Sequence, residues 1–197
     1  MFTGIVEAEG KITDVLHANN TLVLTVESTI SNELKTDQSV AHNGICLTVT
    51  AVQGNTYTVC AVQETMQKTT IAQWKKNDII NLERCMKLND RLDGHIVQGH
   101  VDAKAVCVKR TDIDSNWVFR FGIPAVYSHL IIEKGSVCIN GTSLTCFNVT
   151  DTEFDVAIIP YTFEHTSIRY VNENDEVNVE FDVIGKYVER LQRLRGD

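Results

Sequence analysis

Apolar and polar residues alternate along much of the chain, and this alternation predicts β-strands. In TLVLTVES, residues 21–28, leucine or valine fills alternate positions, and TYTVCAV, residues 56–62, alternates in the same way. A third short apolar run, IINLE, occupies residues 79–83. A period of two residues is typical of a strand with one buried face. These segments therefore predict several short strands in the first half of the chain.

The second half of the chain repeats the first. VAHNGICLTVT at residues 40–50 returns as VCINGTSLTCFNV at residues 137–149. With a shift of 97 positions and no gap, about a third of residues 39–83 are identical to their mates. Similarity of this extent at one fixed shift indicates a duplicated module. The Asn-Gly dipeptide at residues 43–44 also predicts a tight turn between two strands.

The repeat defines two domains. A shift of 95 positions aligns their starts, residues 4–6 with residues 99–101. We therefore expect one domain at residues 1–88 and a second at residues 95–183. Many short strands in a module of this size favour a small closed antiparallel barrel, because closure removes the exposed edges of an open sheet.

Three segments have helical patterns instead. The start of ETMQKTTIAQW, residues 64–74, is helix-like, and we expect its mate at residues 161–171 to behave in the same way. In residues 184–197, apolar residues recur every three or four positions opposite charged ones. This spacing predicts an amphipathic helix outside both copies. The helix either packs back on its own barrel or mediates oligomerisation.

Composition and charge narrow the class of protein. Of 197 residues, 43% are apolar and 22% are charged, which is ordinary for a soluble globular protein. The formal net charge of −8 argues against nucleic acid as a partner, because that binding depends on clustered lysine and arginine. Glu7 and Glu9 interrupt the N-terminus, which has no long apolar run. We therefore expect neither a signal peptide nor a membrane span, and a cytoplasmic protein.

The cysteines and histidines do not predict a metal site. Six cysteines are present without a Cys-x-x-Cys pair, and a chain of this length can bury a core without disulfides. We therefore expect reduced and mostly buried thiols. His95 and His100 have a spacing that suggests metal ligands, but no carboxylate or thiol cluster completes a ligand set. No metal is expected.

Four motifs follow one another in a specific order along the chain. They are MFTGIVE at the start, SVAHNGICLTVT at 39–50, DGHIVQGHVDA at 93–103 and EKGSVCINGTSLT at 133–145. Together with the repeat, they resemble the riboflavin synthase family over essentially the whole chain. The resemblance implies an enzyme without a cofactor that takes two molecules of 6,7-dimethyl-8-ribityllumazine. A four-carbon unit moves from one to the other, which yields riboflavin and 5-amino-6-ribitylamino-pyrimidinedione.

The resemblance also implies an architecture and an assembly. The expected fold is all-β, with two similar six-stranded antiparallel Greek-key barrels and a C-terminal amphipathic helix that assembles a homotrimer. Each barrel would bind one lumazine, and the productive pair would meet between the first barrel of one subunit and the second barrel of its neighbour. A reaction between two copies of one molecule needs two like pockets, which a duplicated module supplies. The sequence leaves association with a lumazine synthase open.

Candidate substrate-binding residues are carried over from the family motifs position by position. In the first barrel they are Gly4, Ile5, Val6, Cys46, Leu47 and Thr48 for the ring, and Glu64, Thr65, Met66 and Lys68 for the ribityl chain. In the second barrel they are Gly99, His100, Val101, Ser143, Leu144, Thr145, Pro160, Tyr161, Thr162 and His165, with Lys134 as a further contact. The catalytic candidates among them are Cys46, His100, Ser143, Thr48 and Thr145.

Each catalytic candidate also has a structural interpretation. Cys46 fits a small core residue in a strand, Ser143 fits a turn cap, and Thr48 and Thr145 fit cross-strand partners in a sheet. His100 belongs to a segment that the resemblance assigns to ring binding, and histidine is the residue type best suited to proton transfer near physiological pH, so we expect it to transfer protons. Because the repeat places Cys46 opposite Ser143, we expect the two pockets to have different roles.

One residue departs from the family pattern, and one other function fits the motifs. Asn140 stands where many family members have an aspartate, although either residue suits a turn before glycine. The competing function is a lumazine or flavin carrier without chemistry, a class that keeps one pocket and loses the key residues of the other. Both copies keep their motifs here, which favours the enzyme.

Overall fold

The computed structural model describes residues 1–114 and 116–196. Two closed six-stranded antiparallel barrels follow one another along the chain, which confirms the predicted fold. The first barrel consists of β1 (Ala8–Ala18), β2 (Thr21–Ser28), β3 (Ser39–His42), β4 (Ile45–Gln53), β5 (Thr56–Val62) and β6 (Ile79–Arg84). The second consists of β7 (Ala103–Ile113), β8 (Asn116–Gly122), β9 (Ser136–Ile139), β10 (Thr142–Phe147), β11 (Glu153–Ile158) and β12 (Glu176–Phe181).

The two barrels have the same strand order. It is β1-β2-β5-β4-β3-β6 around the first barrel and β7-β8-β11-β10-β9-β12 around the second. In each barrel the hairpin of the third and fourth strands lies between the fifth and sixth strands, so the chain follows a Greek-key path. The alternating segments face inward as predicted, since Leu22, Leu24, Val26, Tyr57 and Val59 are all buried.

The short helices follow the repeat as well. They are α1 (Gln63–Lys68) and α2 (Pro160–His165), and α3 (Val183–Arg195) is the C-terminal helix. Single 3-10 turns occupy Ser31–Glu33, Thr70–Gln73, Ala125–Leu130 and Ser167–Tyr170. The prediction that the segment at 64–74 begins as a helix is confirmed, as is that for its mate. None of the helices described in residues 1–114 and 116–196 is long and apolar enough to cross a membrane.

Two Asn-Gly turns meet where the barrels touch. Asn43 and Gly44 have φ angles of 44° and 79°, and Asn140 and Gly141 have 44° and 78°. Two successive positive φ angles are the geometry of a two-residue hairpin turn, which confirms the turn predicted from the dipeptide. A Cβ added to either glycine would lie 2.8 Å from the amide nitrogen of the other. The turns therefore pack back to back, and we call this contact the seam.

Four asparagines hold the seam together. The side-chain amide of Asn81 donates to the carbonyl of Asn140 at 2.8 Å, and that of Asn178 donates to the carbonyl of Asn43 at 2.9 Å. The side-chain oxygens of Asn43 and Asn140 accept the backbone amides of Asn81 and Asn178 at 2.7 and 2.8 Å. Asn140 therefore has a structural role at the seam, in which its Oδ1 accepts as an aspartate oxygen would.

Polar contacts attach helix α3 to the second barrel. Asp182 caps its N-terminus, Lys186 pairs with Asp102 at 2.5 Å, and Glu189 pairs with His129 at 3.0 Å. Its apolar residues remain exposed, namely Ile184, Tyr187, Val188, Leu191 and Leu194. Packing back on its own barrel thus explains the polar contacts and leaves the apolar stripe uncovered.

Candidate active site

Each barrel is preceded by a short segment, and these two segments, which we call the connecting segments, pair with each other between the barrels. They are the N-terminal segment, residues 1–7, and the interbarrel segment, residues 85–102. Phe2 and Val97 form an antiparallel bridge between them, with N···O distances of 2.7 and 3.1 Å. Both side chains are buried in a small cluster that includes Ala41. The two segments are therefore fixed to each other between the barrels.

Beyond this bridge, each connecting segment crosses to a strand of the other barrel. The carbonyl of Gly99 accepts a hydrogen bond from the Cys46 amide of β4 at 2.8 Å. The carbonyl of Gly4 accepts one from the Ser143 amide of β10 at 2.7 Å. We call the surroundings of Cys46 the first-barrel site and those of Ser143 the second-barrel site.

This crossing corrects the grouping predicted from the repeat. Alignment of the copies places residues 4–6 in the first pocket with Cys46 and residues 99–101 in the second with Ser143, and that grouping is wrong. Each segment precedes its own barrel in the chain but lies against the fourth strand of the other barrel. His100 therefore belongs beside Cys46, and residues 4–6 belong beside Ser143.

Glycine is required at both crossing points. Gly4 and Gly99 have φ angles of +75° and +81°, in the left-handed region that other residues rarely adopt. A Cβ on Gly99 would lie 2.7 Å from the Cβ of Cys46, and a Cβ on Gly4 would lie 2.7 Å from the Cβ of Ser143. The backbone of each segment therefore approaches its strand as closely as only glycine allows.

The first-barrel site contains a neutral thiol. Cys46 and Thr48 share the outer face of β4, where Cys46 is half-buried against the small cluster that contains Phe2 and Val97, and Thr48 is exposed. Cys46 therefore lies outside the barrel core but packs on a smaller buried cluster, which agrees in part with its interpretation as a core residue. Burial raises the pKa of the Cys46 thiol, so the thiolate is disfavoured at neutral pH. Val101 and Met66 both pack on the core of this barrel, so the interbarrel segment and α1 contact the same barrel.

The second-barrel site contains a serine and histidine pair. Nδ1 of His95 lies 2.7 Å from Oγ of Ser143, and the histidine is 8% exposed. Burial lowers the pKa of His95, which keeps its imidazole neutral at neutral pH. Its Nε2 is buried and has no hydrogen-bond partner among the described residues. The serine hydroxyl is thus bonded to a histidine, and its interpretation as a turn cap is wrong.

His95 is the functional candidate that sequence reasoning missed. The sequence suggests His95 only as a metal ligand and favours His100 for proton transfer. His95 is 48 residues from Ser143 in the chain, and Gly94 permits the approach, because a Cβ there would lie 2.1 Å from the carbonyl oxygen of Thr3. The only signal in the sequence was a second histidine in the DGHIVQGH motif.

The short helices present different side chains at the two sites. Glu64 and Lys68 of α1 are exposed, and Tyr161 and His165 of α2 stack with their ring centroids 4.2 Å apart. Nδ1 of His165 lies 2.8 Å from the Tyr161 carbonyl, so this nitrogen carries the proton and donates. The helix of the first barrel therefore presents exposed charged groups where that of the second presents a stacked aromatic pair.

The remaining candidates lie on the same elements. Thr48 is opposite Ser39 and Thr145 is opposite Ser136 in their hairpins, so both threonines are cross-strand partners with exposed side chains. Lys134 is exposed before β9, with its ammonium nitrogen 5.3 Å from the ring centroid of Phe147. Leu47 lies on β4, Leu144 on β10, Thr65 on α1, and Pro160 and Thr162 on α2. Ligand contact by these residues stays a prediction.

The described part of the chain has no group of three or more His, Cys, Asp or Glu residues that could hold a metal ion. All six cysteines are free thiols, of which Cys107, Cys138 and Cys146 are buried and the other three half-buried. The chemistry of the two sites therefore consists of a thiol, hydroxyls, imidazoles and backbone amides.

Comparison with known proteins matches both copies. The lumazine binding domain model matches residues 3–85 and again residues 98–182. The riboflavin synthase of Actinobacillus pleuropneumoniae is 37% identical over 97% of this chain and 89% of its own length. That of Brucella abortus is 38% identical over 99% of this chain and its full length. The riboflavin synthase of Bacillus subtilis is 37% identical over 97% of this chain and 89% of its own length.

Solved structures share the fold. LumP complexed with 6,7-dimethyl-8-(1'-D-ribityl) lumazine superposes with a TM-score of 0.84, and LumP complexed with riboflavin superposes with 0.86. Each is 20% identical and covers 92% of this chain and 99% of its own. At this identity the likeness concerns the arrangement of the two barrels.

Proposed function

The chain belongs to the riboflavin synthase family, and on that premise we propose the reaction and the roles of its two sites. The protein converts two molecules of 6,7-dimethyl-8-ribityllumazine into riboflavin and 5-amino-6-ribitylamino-pyrimidinedione by transfer of a four-carbon unit. The observation that supports these roles is the pair of equivalent crossed sites, each made by a ring-binding strand of one barrel and the connecting segment of the other. One such site for each lumazine matches the stoichiometry of the reaction.

Most of the catalysis consists of holding two rings in a reactive orientation. The C7 methyl group of the lumazine is unusually acidic because its anion delocalises into the ring. The protein therefore has to position donor and acceptor, assist removal of one proton, and assist addition at C7 of the acceptor. Orientation is worth roughly 7–11 kcal/mol in favourable cases, and acid–base assistance adds about 10²–10⁴-fold.

The two sites divide this work unequally. In the second-barrel site, the neutral imidazole of His95 is bonded through Nδ1 to the half-buried Ser143, which suits the pair to accept or return a proton through the serine hydroxyl. In the first-barrel site, Cys46 is a neutral thiol and His100 extends from the same segment as Gly99. We assign proton transfer chiefly to His95 with Ser143, and orientation of the second ring to the surroundings of Cys46.

The apolar stripe of α3 supports a homotrimer. A helix without a buried residue, with five large apolar side chains exposed, is a typical contact surface for another chain. In the proposed assembly, α3 joins three subunits, and the first-barrel site of one faces the second-barrel site of its neighbour. We further propose a cytoplasmic protein, because six free thiols suit a reducing compartment.

Incubation with 6,7-dimethyl-8-ribityllumazine and no added cofactor tests the function. Absorbance and chromatography should show one riboflavin and one pyrimidinedione for every two lumazines consumed. A carrier would instead bind lumazine or riboflavin tightly and leave the lumazine unchanged. Tight binding without turnover would therefore reject the enzyme in favour of the carrier.

A further inference from the structure

Two buried glutamates accept hydrogen bonds from the connecting segments. Glu83 on β6 accepts hydrogen bonds from the Thr3 amide at 2.6 Å, the Thr3 hydroxyl at 2.7 Å and the Gly4 amide at 3.0 Å. Its residue is 5% exposed. Every one of these bonds is made to the N-terminal segment. The carboxylate therefore fixes the backbone that carries Gly4.

Glu180 on β12 makes the equivalent set of bonds. It accepts from the Gln98 amide at 2.7 Å, the Gly99 amide at 2.9 Å and the His100 amide at 2.8 Å. Its residue is 2% exposed. The shift of 97 positions aligns Glu83 with Glu180, so both copies of the module contain this carboxylate.

Neither glutamate acts mainly as an ion-pair partner. Burial raises the pKa of both carboxyl groups, and the hydrogen bonds from backbone amides oppose that rise. No cationic group among the described residues lies within salt-bridge distance of either one. A buried carboxylate whose bonds go to successive backbone amides is suited to fixing the path of a loop.

The two glutamates act on opposite sites because the segments cross. Glu180 belongs to the second barrel, but the Gly99 that it holds is bonded through its carbonyl to Cys46 of the first barrel. Glu83 belongs to the first barrel, but the Gly4 that it holds is bonded to Ser143 of the second. Each barrel therefore supplies the support for the other barrel's site.

We propose that Glu180 is a positioning residue for the first-barrel site and Glu83 a positioning residue for the second-barrel site. Neither touches the reacting atoms. Their consequence for catalysis rests on the function proposed above, whereas their crosswise action on the two segments does not. This arrangement makes each site depend on an intact neighbouring barrel within one chain.

Hydrogen exchange and thiol alkylation test the crosswise action directly. Glu180→Gln keeps the size of the side chain but replaces one acceptor oxygen with an amide donor, which faces backbone N–H groups. The amides of residues 98–100 should then exchange about tenfold faster, the effect of weakening one charge-assisted hydrogen bond, and those of residues 3–4 should not change. Glu83→Gln should give the opposite pattern.

Alkylation of Cys46 by iodoacetamide, followed by peptide mass spectrometry, supplies a second measurement. Glu180→Gln should speed the modification of Cys46 about tenfold, because the Gly99 segment lies against that residue. Glu83→Gln should leave its rate within about twofold of the wild type. Cys60 on β5, which has similar exposure, serves as the internal control in each sample.

The outcomes separate this proposal from the proposed function. If either variant increased the exchange rates of residues 3–4 and 98–100 equally, the crosswise role would be wrong. Glu180→Asp keeps the charge on a shorter side chain and should give an intermediate effect, and failure of both Glu180 variants to fold would show a general structural role instead. Lumazine should protect Cys46 from alkylation in the wild type. Absence of protection would contradict the assignment of Cys46 to a lumazine site. The hydrogen-exchange pattern would still test the positioning role of the two glutamates.

Discussion

The two barrels share one backbone path and differ in their interiors. Where the first barrel has His42 and Tyr57, with Nε2 and the phenol oxygen 2.8 Å apart, the second has Ile139 and Phe154. All four residues are buried. Nδ1 of His42 lies 3.0 Å from the Val40 carbonyl, so Nδ1 carries the proton and Nε2 accepts from the tyrosine. The same fold therefore tolerates a polar or an apolar pair, provided that the polar pair is fully hydrogen-bonded.

The two sites differ in the same manner. Their backbones are equivalent, since an amide of β4 or β10 donates to a glycine carbonyl of the crossing segment. Their side chains are not equivalent, because Ser143 is bonded to His95, and no histidine is hydrogen-bonded to Cys46 in the described part of the chain. In the reaction proposed above, the symmetric backbone would give two lumazines like surroundings. We expect the asymmetry of the side chains to make one the donor and the other the acceptor.

Loss of one crossing contact should have the largest effect. In Gly99→Ala, the added Cβ clashes with Cys46 at a left-handed backbone position, so the first-barrel site should no longer form. We expect kcat/KM to fall by about 10³-fold or more, because the orientation of two rings supplies much of the rate. Steady-state kinetics check the loss, and circular dichroism checks the fold.

Gly54→Ala is the matched control for backbone strain. Gly54 also has a positive φ angle, of 59°, but its turn is open, with nothing within 4 Å of an added Cβ. The Gly54→Ala variant should therefore lose some stability and keep its turnover number. Near-normal activity of Gly99→Ala would show that the close contact with Cys46 is dispensable.

Removal of α3 should cause the second-largest loss of activity. This helix is also a difference between the barrels, because it follows only the second one. Deletion of residues 184–197 uncouples the subunits while the barrels remain closed, so activity should fall by about 10²-fold or more if the productive pair spans two subunits. Analytical ultracentrifugation should show monomers. Leu191→Ser on the apolar stripe should weaken assembly, and Arg190→Ser on the polar side should not. An intact trimer after the deletion would contradict the role of the helix.

The two sites should contribute unequally to kcat. His95→Gln should lower kcat by about 10²-fold with little change in lumazine affinity, because it removes a group that acts on the proton in transit. Cys46→Ser makes the first site resemble the second and should lower kcat less. Since burial lowers the pKa of His95, the acid limb of the wild-type pH–rate profile should lie below about pH 6.5. Rate and affinity measurements on both variants decide the ranking.

His17→Gln is the control for that comparison. His17 is exposed on β1, and its replacement should change neither kcat nor the pH–rate profile. Equal losses from His95→Gln and Cys46→Ser would indicate that the two sites contribute alike, and would remove the basis for separate donor and acceptor roles.

The smallest effect concerns the stability of the first barrel at low pH. Burial lowers the pKa of His42 to about 4, so as pH falls from about 6.5 the unfolded chain takes up the proton first and the folded state loses stability. The free energy of unfolding should decrease by up to about 3 kcal/mol between pH 6.5 and 4 from this residue. The double variant His42→Ile, Tyr57→Phe copies the second barrel and should lack that part of the decrease. Urea denaturation at several pH values measures it, and identical pH curves would contradict the assignment.

Much of this molecule follows from local sequence patterns. Alternation predicts β2 and β5, and a short apolar run predicts β6. The Asn-Gly dipeptides predict the hairpin turns, and the spacing of apolar residues predicts α3. These features depend on neighbours within a few residues, so a single sequence contains the information. The duplication extended the same prediction to the second barrel.

The tertiary structure alone decided which residues form each site. The crossing at Phe2 and Val97 exchanges the two connecting segments between barrels, and it brings His95 to Ser143 across 48 residues. A repeat alignment compares each segment with its own barrel, so it could not show an exchange between them. Such contacts depend on how two closed barrels pack, and on buried carboxylates that hold the connecting backbone in one path. Packing over long sequence distances thus brings together the candidate groups of each site, which local patterns cannot do.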